Sequence, residues 1–262
     1  MRIRSAVATV ALLLVPALGA QTVADHIALG DKAHVAMDAA DALKHYEAAM
    51  AADPKSYEAL WKASRDAVDA GEFNASATER SRLYKSAELY ARRAVEANPR
   101  DAEGHFHLAR ALGKNALTLG TKERVKYAGD VRAQALEALK YDPTHAGALH
   151  VMGVWNAEVM RLSGIARWAA RNFLGGQVFG SASWKEAVRY MEQAVAVDPQ
   201  RLTHRLDLGM IYDDMKNKAK AKAMYESVVQ SPPRESGDAH RKRMAQCLLS
   251  GKNVNACEKS AA

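Results

Sequence analysis

Apolar and small residues in the segment 202–233 recur three and four positions apart, in two successive runs. This spacing places them on one face of each of two helices. Pro233 follows the second run, and a proline does not continue a helix. The small residues permit close approach of the two helices, and the large ones fill the space beside them. The positions that carry the pattern are Leu208, Gly209, Tyr212, Ala221, Tyr225 and Val228.

The same register recurs along the chain, with closing prolines at 54, 99, 143, 199 and 233. The last interval is 34 residues, which is the period of the tetratricopeptide repeat that this pattern resembles. We therefore predict an all-α, tetratricopeptide-like, right-handed superhelical solenoid of about five helix pairs. The predicted repeats are 23–54, 57–99, 102–143, 146–199 and 202–233.

Beyond the repeats, residues 236–250 have the amphipathic pattern of a helix that caps the open end of a solenoid. Residues 251–262 are small and polar, and they predict a flexible tail. Within the second repeat, residues 71–82 predict a loop between the two helices. The single predicted domain thus spans 21–250.

The first 20 residues have the pattern of a secretory signal peptide. Arg2 and Arg4 form a basic start, an apolar centre follows, and small residues precede Gln21. An uncleaved N-terminal anchor is the alternative. The pattern predicts export to the periplasm, and no later stretch is apolar enough to cross a membrane.

Charge and cysteines add two further constraints. The net charge is +7, and residues 201–262 hold 12 basic against 7 acidic side chains. Lysines at 216, 218, 220 and 222 divide between two helix faces, which favours a solvated surface over a nucleic-acid site. Cys247 and Cys257 either form a disulfide or remain as two thiols.

The concave groove of the predicted solenoid is the first candidate binding site. Groove positions of successive first helices carry Trp61 with Arg65, then Phe106 with Arg110, then His150. Arginine can hold a carboxylate or phosphate with two parallel hydrogen bonds, and aromatic rings beside it suit an apolar group. Ordinary groove packing with solvated arginines is the other interpretation.

The insertion in the fourth repeat, residues 161–183, is the second candidate site. Trp168 and Phe173 follow helical spacing, Arg167 and Arg171 flank the apolar residues, and Phe179 comes after a glycine break. A basic, apolar helix of this kind can pack across the solenoid, line a cavity for a lipid-like ligand, or lie on a membrane surface.

Catalytic motifs are absent from the sequence. It contains no Gly-x-Ser-x-Gly elbow, phosphate-binding loop or His-Glu-x-x-His helix. His105 and His107 are two positions apart and lie on opposed sides of a helix, so they do not form a metal pair. We predict a protein that is not an enzyme and has neither cofactor nor metal site.

Residues 84–250 resemble the regulator of microtubule dynamics family. The resemblance rests on EGHFHLA at 103–109, HVMGVWNAEV at 150–159, NFLGGQVFGSAS at 172–183 and EAVRYMEQAVAVDP at 186–199. Animal members of that family resemble organelle-membrane proteins that act in tethering, microtubule association and lipid handling. The resemblance also implies an apolar cavity beside the insertion, with Trp155, Trp168, Phe173 and Phe179 as residues of interest.

This chain departs from those relatives because a secretory signal stands in place of a membrane anchor, so a microtubule partner is not expected. The predicted function is that of an exported, non-catalytic scaffold or adaptor that binds a protein or peptide partner in its groove. The alternative is a carrier of a lipid-like apolar ligand that uses the fourth-repeat insertion.

Overall fold

A computed structural model describes residues 22–173 and 177–261, except for the side chains of 121, 122, 171, 173, 177, 260 and 261. Within these ranges the chain is helical and has no strand. The helices are α1 (Val23–Val35), α2 (Ala39–Ala52), α3 (Tyr57–Glu72), α4 (Ala77–Ala97), α5 (Ala102–Ala116), α6 (Thr121–Tyr141), α7 (Ala146–Arg161), α8 (Gly164–Phe173), α9 (Trp184–Val197), α10 (Leu202–Asp214), α11 (Lys218–Gln230), α12 (Asp238–Leu249) and α13 (Val254–Ala261). A short 3-10 helix, Gln177–Ser181, precedes α9.

The helices pack as five consecutive pairs, which confirms the predicted solenoid. The pairs are α1 with α2, α3 with α4, α5 with α6, α7 with α9, and α10 with α11. First helices also contact one another in order, α1 with α3, α3 with α5, α5 with α7, and α7 with α10. This stacking gives the solenoid one face made of first helices. Helix α12 packs on α10 and α11 at the C-terminal end.

Glycines in the first helices let tyrosines of the second helices pack against their backbone. A Cβ atom added at Gly30 would lie 2.5 Å from Tyr46 Cε1, and one at Gly209 would lie 2.5 Å from Tyr225 Cε1. Both rings are buried. The Leu-Gly motif of the repeat therefore fixes how closely the two helices of a pair approach.

Two predicted segments differ in the structure. The predicted loop 71–82 is mostly helical, because α3 continues to Glu72 and α4 begins at Ala77. The side chain of Ser76 accepts a hydrogen bond from the backbone N–H of Glu79 and caps the longer helix. Only residues 73–76 link the two helices, so the extra length of this repeat extends them.

The predicted flexible tail is the second correction, since residues 254–261 form helix α13. Cys257 on this helix is fully buried and is bonded to Cys247 at the end of α12, with Sγ atoms 2.11 Å apart. The disulfide and this burial hold a helix that composition alone did not predict.

None of the described helices is long and apolar enough to cross a membrane. The predicted signal peptide, residues 1–20, lies outside the described residues.

Candidate ligand-binding cavity

A cavity of about 270 Å³ lies on the face made by the first helices. Trp61 and Arg65 of α3, with Phe106 and Arg110 of α5, line it. These are four of the five residues predicted for the groove. Other parts of the wall come from the α1–α2 link, from the starts of α7 and α10, and from residues 234–236 before α12.

Arg65 is held by an internal network. Its Nε donates to Asp66 Oδ2 at 2.9 Å, and its Nη2 donates to the Tyr46 hydroxyl at 3.0 Å. Its guanidinium carbon lies 5.4 Å from the centre of the Trp61 ring. Asp66 is fully buried and also contacts His34 Nδ1 at 2.7 Å. A buried carboxylate needs such partners, so Arg65 acts first as the counter-charge of Asp66.

Arg110 is engaged in the same way. Its Nη2 lies 2.5 Å from Asp69 Oδ1, and its Nη1 donates to the backbone oxygen of Arg65 at 3.5 Å. Burial raises the pKa of the Asp69 carboxyl, but the charge of Arg110 outweighs burial and leaves that pKa below its usual value. Arg65 and Arg110 therefore both lie in the wall of the cavity, and carboxylates of this chain pair with both guanidinium groups.

Glu103 lies between two histidines in the wall of the cavity. Its carboxylate oxygens are 3.4 Å from His107 Nε2 and 3.4 Å from His145 Nε2. His145 Nδ1 accepts a hydrogen bond from the backbone N–H of Ala148, so its Nε2 carries a proton and can donate to Glu103. Burial tends to raise the pKa of Glu103, but the histidine hydrogen bonds lower it overall. Glu103 is therefore ionised at neutral pH.

His107 is a neutral, packed side chain. Burial lowers its pKa to about 4, although Glu103 acts in the opposite direction. Its ring stacks on Trp61 with centres 5.3 Å apart and planes 10° apart, and it lies 4.6 Å from the Phe106 ring. Trp61 and His107 thus form a stacked pair in the wall of the cavity, and the buried Phe106 ring is tilted by 54° against His107.

The C-terminal cap closes over one side of the cavity. Arg241 of α12 lies 3.4 Å from Glu72 at the end of α3, and Lys114 of α5 lies 2.6 Å from the same carboxylate. The rings of Phe73 and His240 are 4.9 Å apart. These contacts join the second repeat to the cap across the concave side.

His150, the fifth predicted groove residue, lies outside the lining of this cavity. Its Nε2 is 2.6 Å from Asp207 Oδ2, and its ring is stacked 4.9 Å from His204. Burial lowers the pKa of His204, and the neighbouring His150 lowers it further. His150 therefore joins α7 to α10 and does not extend the site.

Of the aromatic residues predicted to form an apolar cavity at the insertion, Trp155 and Phe179 lie together, whereas Trp168 is largely exposed. Trp155 and Phe179 are buried with ring centres 6.0 Å apart, and Trp155 Nε1 donates to the backbone oxygen of Ala128 at 2.8 Å. Trp168 is 58% exposed, and Arg167 Nη1 lies 3.1 Å from Met160 Sδ. These positions fit core packing for two of the aromatic residues and a solvent-facing position for the third.

The side chains of Arg171 and Phe173 lie outside the described residues. Their place in the predicted cavity therefore stays a prediction.

Sequence reasoning missed the contribution of the cap to the site. Arg201 precedes α10, and Arg234 and Glu235 precede α12; all three line the cavity. The only sequence indication was the excess of basic residues after position 200. These residues are too far along the chain from α3 for repeat spacing to predict their position.

One group of side chains near the cavity has the composition of a metal site. Ligand atoms of His34, Asp66 and Asp69 lie within 4.8 Å of one another. Arg65 and Arg110 already hold the two carboxylates. Because a cation there would stand next to two guanidinium groups, the cluster fits an ion-pair network better than a metal site.

The stacked helix pairs and their concave site define this protein as a tetratricopeptide solenoid. It belongs to the family described as Regulator of microtubule dynamics protein 1-3, whose family model matches residues 24–253. The chain is 25% identical over 197 residues to Regulator of microtubule dynamics protein 1 of Bos taurus, covering 74% of this chain and 61% of the relative. The human protein of the same name is 26% identical over 161 residues, covering 60% and 50%. The chain thus spans about three-fifths or less of these two relatives.

Among solved structures, the chain is similar to a thermophilic TPR protein of Thermus thermophilus. The TM-score is 0.60 with 19% identity, and the match covers 86% of this chain and 99% of that one. At this identity the similarity concerns the fold.

Proposed function

We propose that this protein is a non-catalytic helical-repeat scaffold that binds a segment of a protein partner on its concave side. The observation that carries the proposal is the convergence of Trp61, Phe106 and Arg234 on one cavity of that face. Repeat solenoids present extended concave surfaces for binding. Here that surface combines aromatic rings with a guanidinium group, which are the side chains enriched where proteins bind one another.

The partner contacts in this proposal come from the rim of the cavity. Arg65 and Arg110 already serve Asp66 and Asp69, so replacing them would leave buried carboxylates unpaired. Met37 in the α1–α2 link lines the cavity and is 43% exposed. It is the better position for detecting a bound partner.

The test is photo-crosslinking in the native cell envelope, with a benzoylphenylalanine residue in place of Met37. We expect a discrete adduct with a partner protein. The matched control places the same residue at Leu89 on α4, which is 55% exposed and does not line the cavity. Equal adducts at both positions, or an adduct only at Leu89, would contradict binding on the concave side.

We also propose that the protein is exported to the periplasm after removal of residues 1–20. Two features support this proposal, the basic–apolar–small pattern of those residues and the Cys247–Cys257 disulfide. Disulfides persist in oxidising compartments. Intact mass of the protein from fractionated native cells tests the proposal: a periplasmic chain that begins at Gln21 is expected, and a cytoplasmic chain that retains residues 1–20 would exclude it.

A further inference from the structure

The cavity has one cationic group that the protein itself does not neutralise. Arg110 pairs with Asp69, and Arg201 lies 2.8 Å from Glu235. The guanidinium of Arg234 has no hydrogen-bond or ion-pair partner among the described residues, although it lines the same cavity. Because Arg234 is exposed, its charge is solvated in the free protein and is available to an anionic group of a ligand.

The carboxylates in the wall of the cavity already pair with other basic side chains. Glu235 contacts both Arg201 and Arg241, at 2.8 and 3.6 Å. Glu103 is shared by His107 and His145. Both carboxylates therefore pair with side chains other than Arg234.

The backbone holds Arg234 in place for this role. The N–H groups of Arg234 and Glu235 donate to Asp238 Oδ2, at 2.7 and 3.0 Å. Asp238 is 1% exposed and is also 3.1 Å from Arg241 Nη1. A fixed backbone reduces the entropy that a binding residue loses when it closes on a ligand.

The volume of the cavity suits a small molecule or a small group. At about 270 Å³ the cavity is below the volume, about 300 Å³ or more, that is usual for drug-sized ligands. The Glu72–Arg241 contact and the packing of Phe73 on His240 hold the cap against the second repeat beside the cavity. A Cβ atom at Gly237 would lie 2.5 Å from Phe73 Cε2, so this crossing is tightly packed.

Beyond the scaffold function, we propose that this cavity binds a small carboxylic acid with a flat apolar group. The carboxylate pairs with the Arg234 guanidinium, which can form two parallel hydrogen bonds to it. The apolar group lies beside Trp61 and Phe106, which both line the cavity. Because residues of the second and third repeats and of the segment before α12 all line the cavity, the bound acid also stabilises the arrangement of these parts.

Isothermal titration calorimetry of the full chain with 3-phenylpropionate, checked by ligand-observed NMR, tests this proposal. The matched neutral probe is 3-phenylpropionamide, and inorganic phosphate serves as an anion without an apolar group. We expect saturable binding of the acid, about tenfold or more weaker binding of the amide, and weaker binding of phosphate. The factor follows from the loss of a charge-assisted hydrogen bond.

Two variants locate the site. Arg234→Gln is expected to weaken binding of the acid about tenfold. Arg100→Gln, which makes the same charge change at an exposed residue outside the cavity, is expected to leave binding unchanged. Circular dichroism and the melting temperature show whether both variants are folded.

Several results would overturn the proposal: no saturable binding of the acid, equal affinity for acid and amide, equal affinity for phosphate, or binding unaffected by Arg234→Gln. Binding of a peptide that ends in phenylalanine, without binding of the acid, would show that the occupant is a chain end and would also overturn it. Crosslinking from Met37 does not depend on any of these results, so the scaffold proposal and this one can fail separately.

Discussion

Glu72 and Arg241 form an ion pair across the concave side of the solenoid, although they are 169 positions apart. Their atoms Oε2 and Nη2 lie 3.4 Å apart, and the side chains are 20% and 10% exposed. Glu72 also holds Lys114 at 2.6 Å. One carboxylate thus links the second repeat, the third repeat and the cap.

Replacing Glu72 by Gln should destabilise the protein by about 2 kcal/mol, because Lys114 loses its counter-charge and Arg241 loses one of its three carboxylate partners. Denaturant unfolding followed by circular dichroism measures the change. The control is Glu79→Gln, which removes the exposed Glu79–Arg82 pair, for which about 0–1 kcal/mol is expected. Equal losses in the two variants would mean that the Glu72 contacts contribute no more than a surface pair.

The same carboxylate predicts a pH dependence. Burial raises the pKa of Glu72, but the charges of Lys114, Arg241 and Arg110 outweigh it and lower that pKa to about 2, from 4.5. Because its pKa is lowered in the folded state, the ionised Glu72 carboxylate stabilises the protein fully above pH 4.5. This stabilisation is lost as the pH falls toward 2. Between these values the free energy of unfolding should decrease less steeply in Glu72→Gln than in the wild type. Parallel curves would exclude Glu72 as a source of the acid sensitivity.

Two glycine substitutions test the packing of the helix pairs. Gly209→Ala should destabilise the protein by about 1–3 kcal/mol, because the added methyl would meet the buried Tyr225 ring at 2.5 Å. Apart from its chain neighbours and the backbone of its own helix, a Cβ atom at Gly113 would have no heavy atom within 4 Å, so Gly113→Ala should stabilise helix α5 by about 0.5–1 kcal/mol. Thermal unfolding of both variants measures the difference in sign, and a stabilising Gly209→Ala would show that the ring moves aside.

Two tryptophans in and beside the insertion should respond differently to truncation. Trp155→Ala removes a buried ring and its hydrogen bond to the Ala128 carbonyl, and we expect a loss of about 3–5 kcal/mol. Trp168→Ala removes a ring that is 58% exposed, and we expect a loss below about 1 kcal/mol. Chemical denaturation of both variants measures these losses. A large loss for Trp168→Ala would place that ring in the core.

Reduction of the disulfide should release α13 while leaving the repeats folded. The cysteines are 10 positions apart, for which loop-closure entropy gives about 2.5 kcal/mol. A solenoid loses stability locally because each unit contacts its neighbours. Hydrogen exchange with and without reductant should show faster exchange in 254–261 and unchanged exchange in α1 to α9. The Cys247→Ser/Cys257→Ser variant is the control, and it should not respond to reductant.

Sequence reasoning predicted the groove residues Trp61, Arg65, Phe106 and Arg110 because repeat register fixes which side of a first helix faces the groove. It did not predict that Asp66 and Asp69 neutralise the two arginines. Asp66 and Asp69 stand one and four positions from Arg65 on α3, and register alone does not distinguish a carboxylate turned toward solvent from one turned into the stack. The same reasoning grouped the insertion aromatics, whereas Trp155 and Phe179 pack in the core and Trp168 faces outward.

The sequence by itself determined the helix pairs and their order, because apolar spacing, Gly209 against Tyr225 and the closing prolines act between residues that are close along the chain. Only the tertiary structure decided that α12 returns to α3 and brings Arg234 to the wall of the cavity. The curvature of a solenoid is the sum of small rotations between successive repeats. Whether α12 meets α3 therefore depends on the rotation between every two successive repeats that lie between them.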